Sequence, residues 1–237
     1  MDTTRIQDDA RTQIEAPAPP TIWERPIDDL LAEAVSFHGH LCPGQVLGVR
    51  MAVAGCRETG FAHPRAAGKH LVVFVEIDRC ATDAIEALTG VSLGKRTLKH
   101  LDWGKAAATF VDARTGRGVR VAARDDARAL APLLVPGEPD ARRAQIAAYR
   151  VMPERSLFLI ESVVIAPGWL DRPRVRVRCA ECREGVNYGR EIVVGGRGLC
   201  RGCAGERYYG YDRGHIALAG DAPMMGPHET THEARRA

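Results

Sequence analysis

The sequence predicts an α+β fold: a mixed core domain with a mainly antiparallel sheet and packed helices, followed by a small C-terminal four-cysteine module. Three observations predict it. Segments with helical and strand periodicity are interspersed without regular βαβ alternation. Apolar residues make up 45% of the 237 positions, enough for one core of ordinary size plus an appendage. Two C-x2-C pairs lie near the C-terminus in a segment with almost no apolar core of its own.

The elements follow in order. Ile27, Leu30, Leu31, Ala34 and Val35 recur at helical spacing and predict an amphipathic helix. Pro43 suits a first helical turn, and Pro43 to Arg57 reads as a second helix, apolar on most faces and therefore buried. Cys56 within it reads as a packing residue. Leu71–Ile77 is a β-branched run of strand length. Ala81, Ala84, Ile85 and Leu88 then give a helical face closed by Gly90. Lys105–Ala113 and Gly118–Ala123 read as a hairpin around residues 114–117. Asp125–Leu134, limited by Pro132 and Pro136, and Ala141–Met152 read as helices, and Leu157–Ile165 as a further strand.

The chemistry concentrates in Phe37-His38-Gly39-His40-Leu41-Cys42-Pro43-Gly44. His38, His40 and Cys42 alternate, so an extended loop would point all three the same way. Pro43 biases Cys42 toward extended backbone and places it at a helix N-terminus, where the dipole and free N–H groups favour a thiolate. Cys80 falls at a strand-to-helix turn, near a second helix N-terminus. Such a set suits a transition metal or thiol chemistry. Asp83, three residues past Cys80, could orient a ligand or simply complement its own helix dipole. Lys105 reads as a solvated lysine or an anion contact.

Composition excludes several classes. The net charge of +3 is too small to indicate a partner. No run approaches the roughly 20 apolar residues a membrane span needs. Residues 1–22 are polar and Pro-rich and read as a disordered leader, not a signal peptide. Free or metal-ligating thiols and a cytoplasmic location are therefore expected for the seven cysteines.

Cys179/Cys182 and Cys200/Cys203, separated by 17 residues, predict a structural zinc site. A hairpin is expected around residues 191–196, and a short helix over Arg201–Tyr209 to supply the last ligand. Pro167, Gly168 and Pro173 mark the linker. Between Asp171 and Arg213 ten arginines face six acids, and a Zn²⁺ with four thiolates lowers that balance to about +2. This favours protein contact over nucleic acid. His228-Glu229-Thr230-Thr231-His232 matches H-E-x-x-H in form but sits in a tail without apolar period, expected to be disordered.

The stretch 37–44 with Gly48, the block 76–85 with Thr89-Gly90 and Leu93-Gly94-Lys95, and Asp102-Trp103-Gly104-Lys105 through Phe110 resemble the formylmethanofuran dehydrogenase E-subunit family. The resemblance implies a core with a groove lined by His38, His40, Cys42 and Cys80, a C-terminal treble-clef zinc finger, and a homodimer. The chain accordingly reads as a core over 23–168 resembling that family, a four-cysteine finger over 174–212 and a disordered tail over 213–237. The function it implies is a metal-binding accessory or sensing protein linked to molybdenum or tungsten enzymes, with Zn in the finger and a second transition metal as an option in the groove. Two alternatives stand beside it: a thiol-dependent enzyme in which Cys42 and Cys80 are catalytic, and a zinc-finger regulator that binds nucleic acid.

Overall fold

The computed structural model describes residues 18–166, 168–171 and 173–210. Most of the expected leader, the expected tail over 213–237 and the H-E-x-x-H match lie outside these residues. Among the described residues no helix is long and apolar enough to cross a membrane. The chain divides into two compact units, with the boundary between Asp171 and Arg172.

The first unit is α+β, with a mainly antiparallel sheet. Its helices are α1 (Ile27–His38), α2 (Pro43–Thr59), α3 (Cys80–Thr89), α4 (Asp126–Leu134), α5 (Ala141–Val151) and the single turn α6 (Glu154–Leu157). Its strands are β1 (Leu71–Val75), β2 (Leu98–His100), β3 (Ala107–Asp112), β4 (Arg117–Ala123) and β5 (Phe158–Val164), in the order β2-β1-β3-β4-β5. Within this sheet only the β1–β2 pair is parallel. The strand β2 has no counterpart in the sequence-based expectation. Three residues, Leu98-Lys99-His100, are too few to show a period of two, and the pairing with β1 selects them.

Alternation along β1 sorts the core into two layers. Leu71, Val73 and Val75 face the helices, with Val49, Ile85, Phe110 and Val121. Val72 and Phe74 face the other way, with Val111, and Leu101, Ile165 and Leu170 pack over them. Both faces of β1 are therefore buried, which explains its uninterrupted apolar run.

Helix α2 lies at the centre, and three glycines set its distance from its neighbours. A Cβ on Gly48 would come within 2.4 Å of the Ala81 carbonyl oxygen, and one on Gly55 within 2.1 Å of the Phe110 ring. A Cβ on Gly44 would meet the Cys80 Cβ at 3.0 Å. Glycine costs a helix interior about 1 kcal/mol relative to alanine. Here close packing against α3 and β3 requires it. Gly48→Ala is accordingly expected to destabilise the protein by about 1–3 kcal/mol despite the better helix propensity. Urea unfolding checks this; a gain in stability would refute the close-packing account.

A buried ion pair spans the sheet face away from the helices. Arg120 on β4 donates two parallel hydrogen bonds to the Glu76 carboxylate, at 2.7 and 2.8 Å. The Glu76 side chain is only 3% exposed. The backbone carbonyl of Glu76 also accepts from Trp103 and Lys105 N–H, tying the 101–106 segment to the strand end. Arg120→Ala leaves a buried carboxylate uncompensated and is expected to cost about 3–5 kcal/mol. Thermal unfolding reads this directly, and a change under about 1 kcal/mol would show that solvent reaches Glu76.

The second unit contains two small hairpins, β6 (Arg176–Arg178) with β7 (Gly185–Asn187), and β8 (Ile192–Val194) with β9 (Arg197–Leu199). The helix expected over Arg201–Tyr209 is reduced to one wide turn, Gly202–Glu206. Gly205 adopts φ +106° inside it, a conformation that ends helical winding.

Candidate metal centre

Helix α1 ends at His38, and Gly39 follows in the left-handed region at φ +95°. Its N–H closes onto the Val35 carbonyl at 2.7 Å, a C-cap that glycine adopts without strain. The chain then reverses, and Cys42 takes extended backbone (φ −147°, ψ 165°) as the N-cap of α2, with Pro43 behind it. His38 is thus the last residue of a helix, and the three side chains converge because a helix end and a helix start meet at a glycine turn. The alternation of an extended loop, expected from the spacing, is not what brings them together.

One donor atom from each of His38, His40 and Cys42 lies within 4.8 Å of the others. The two imidazole rings are 4.6 Å apart, tilted by 39°. Cys42 is buried, His38 half-buried and His40 exposed, so the cluster opens to solvent on one side.

His38 carries the most telling geometry. Its Nδ1 is 2.7 Å from Asp83 Oδ2, reaching across from α1 to α3. Its Nε2 is buried and has no hydrogen-bond partner among the described residues. A carboxylate that holds one ring nitrogen fixes the tautomer, leaving the other nitrogen a lone pair. A buried acceptor without a partner is costly, and coordination of a cation satisfies it.

Cys80, the first residue of α3, is not one of the mutually close set. Burial, and then the neighbouring Cys42 thiol, push its own thiol up from the usual cysteine value. Gln45, fully buried on α2, donates its amide to the Cys80 carbonyl at 2.5 Å and so joins the starts of the two helices. Sequence reasoning passed over Gln45; the signal was a lone amide on a helix otherwise apolar on most faces. Lys105 is exposed, with its ammonium 5.7 Å from the Trp103 ring centre. Cys56 is buried in the core, where burial pushes its thiol up to about 12.

In the second unit, Cys179, Cys182, Cys200 and Cys203 bring their sulfurs within 4.8 Å of one another. Backbone amides point at them: Cys200 N–H donates to Cys179 Sγ at 3.3 Å and Cys203 N–H to Cys200 Sγ at 3.4 Å. Against its burial, the N–H groups of Cys200, Glu181 and Cys182 bring Cys179 down to about 6. Burial and the neighbouring thiols push Cys203 up to about 12. Four thiolates this close repel one another, and a divalent cation removes that repulsion. The four-cysteine set suits a tetrahedral ion such as zinc, and the His38/His40/Cys42 set suits a borderline transition metal with a position to spare.

The sequence profile of the family described as "FmdE, Molybdenum formylmethanofuran dehydrogenase operon" matches residues 37–159, more than half of the chain. The chain belongs to the FmdE family. The matched FmdE region begins at the residue before His38 and takes in the groove and nearly all of the five-stranded sheet, ending early in β5. A protein of Archaeoglobus fulgidus described as a "Probable S-adenosyl-L-methionine-binding protein" is 30% identical over 218 residues, 81% of this chain and 57% of the relative. This FmdE-family chain thus spans a little over half of that relative's length. A crystal structure of a tungsten formylmethanofuran dehydrogenase FmdE-like protein from Syntrophus aciditrophicus aligns with TM-score 0.55 at 22% identity. The alignment covers 81% of this chain and all of the other. At that identity the likeness is one of fold.

Proposed function

We propose that this FmdE-family protein is a metal-binding accessory or sensing component for molybdenum or tungsten enzymes. Residues 23–168 form the core that carries the metal groove, and residues 174–212 form a zinc finger that serves protein contacts, including a homodimer in the cytoplasm. The observation that carries this reading is the His38 relay, with Asp83 on Nδ1 and a buried, partnerless Nε2. His38, His40 and Cys42 would hold the groove metal, with Cys80 beside Cys42. A metal held by three ligands acts as a Lewis acid for whatever binds at its open position. The protein's own part is to fix the imidazole through Asp83, to supply one thiolate, and to leave one side open at His40.

Cobalt substitution tests this. In full-length protein loaded with Co²⁺, azide is expected to shift the visible bands of the groove site, because a position is open there. The closed four-thiolate finger is not expected to respond. No azide response, or an equal response in Cys42→Ser, would overturn the open-groove reading.

A second ligand reading comes from the relative named for S-adenosyl-L-methionine. A cleft of about 550 Å³ beside the groove, lined by Phe37, Glu86 and Lys95 among others, favours it.

A further inference from the structure

That cleft lies between the end of α1, the α3 flank and the loop after α3. Its volume of about 550 Å³ falls within the usual range for small-molecule sites. Its walls are chemically divided. Ala87 and Val91, both nearly fully buried, give an apolar floor. Phe37, 56% exposed, stands on the wall.

The charged groups are unequally committed. Glu33 is paired with Arg25 at 2.9 Å and with Arg65, and Arg65 also donates to the Ala87 carbonyl. Lys95 holds the Gly90 carbonyl at 3.0 Å with one of its three donors. The Glu86 carboxylate has no hydrogen bond or ion pair among the described residues, its backbone carbonyl accepting from the Gly90 N–H. Burial, and then the charge of Asp83, push its carboxyl up, with Lys95 opposing. A partly desolvated carboxylate without a partner attracts a cation. The exposed lysine nearby attracts an anion, and the aromatic wall accepts a flat or cationic group.

We infer that the α1–α3 cleft binds a small zwitterion bearing an aromatic or cationic substituent, an amino-acid-like ligand. Glu86 faces its ammonium, Lys95 its carboxylate, and Phe37 its substituent. This rests on the second ligand reading above and deepens it by naming the binding residues. The cleft adjoins the metal groove through consecutive residues: Phe37 precedes His38, and Glu86 lies one helical turn past Asp83.

Calorimetry on the full-length protein tests it, with S-adenosylmethionine as probe and methionine and adenosine as separate arms. Saturable binding of S-adenosylmethionine is expected, weakened at least tenfold by Glu86→Gln and by Phe37→Ala. Metal content should stay at its wild-type value in both variants, so a failure here is distinct from failure of the metal reading. Thermal midpoints of the two variants report that they are folded. Binding of methionine alone, which bears neither an aromatic nor a cationic substituent, would overturn the role assigned to Phe37. Binding of adenosine alone, no binding of any probe, or binding indifferent to Glu86→Gln in folded protein would overturn the zwitterion assignment.

Discussion

Cys200→Ser is expected to strip the metal from the second unit and unfold it, while the first unit keeps its own melting transition. Four three-residue strands cannot bury enough apolar surface to fold unaided. Among the described residues of that unit, only Cys179 and Leu199 are buried apolar positions, and Cys179 is itself a candidate ligand. Binding of a structural zinc is worth on the order of 10–16 kcal/mol in small fingers, and that free energy is the folding free energy. Removing one thiolate of four should lower affinity by several orders of magnitude. Metal content by mass spectrometry, together with limited proteolysis between Pro173 and Gly210, reads both effects. A chelator should reproduce the mutant's proteolysis pattern in the wild type. Retained zinc with a protected finger would mean that three cysteines suffice.

The second large effect concerns the groove. His38→Ala and Cys42→Ser should each abolish metal binding at the first unit. Asp83→Asn should weaken it by about 10–100-fold, the usual cost of losing a carboxylate that orients a ligating histidine. The Asp83 side chain is 42% exposed, so this variant should fold as the wild type does. Asp83→Glu, which keeps the carboxylate, should recover part of the loss. Competition with a metal-binding dye measures each step. Cys80 discriminates between arrangements: because it lies outside the close set, Cys80→Ser should keep the metal with altered affinity. Loss of the metal in Cys80→Ser would make it a full ligand after rearrangement. Equal affinity in Asp83→Asn and wild type would remove the basis for the His38 relay.

Much of this was legible in the sequence because it is local. Helix α2 begins where Pro43 predicts, and Cys42 is its N-cap. Helix α3 ends where Gly90 predicts, with φ +70°. The β3–β4 hairpin follows from two β-rich runs around Asp112-Ala113-Arg114-Thr115-Gly116, where Asp112 accepts from the Arg114 backbone and guanidinium. The family was legible for a different reason: its residues cluster where chain turns are constrained by glycine and proline.

What depends on distant contacts was less legible. The parallel strand β2 exists because Val73 N–H reaches the Thr97 carbonyl, a contact no local period encodes. The partnership of Asp83 with His38 spans 45 residues, and sequence could offer it only as one of two roles for a first-turn acid. Glycines 48 and 55 gave no sign of which surfaces they admit, since their meaning lies in Ala81 and Phe110. The finger's final helix was overestimated because its residues alone do not register that Gly202 and Gly205 make winding costly.

Metal stoichiometry and ligand type in anaerobically purified full-length protein test the central claim most directly. Elemental analysis and X-ray absorption would be applied to the wild type and to His38→Ala. Two metal ions per chain are expected in the wild type, one with sulfur ligands only and one with mixed nitrogen and sulfur ligands. Only the mixed site should vanish in His38→Ala. A single all-sulfur site, unchanged by His38→Ala, would contradict the account and leave the groove without a metal role.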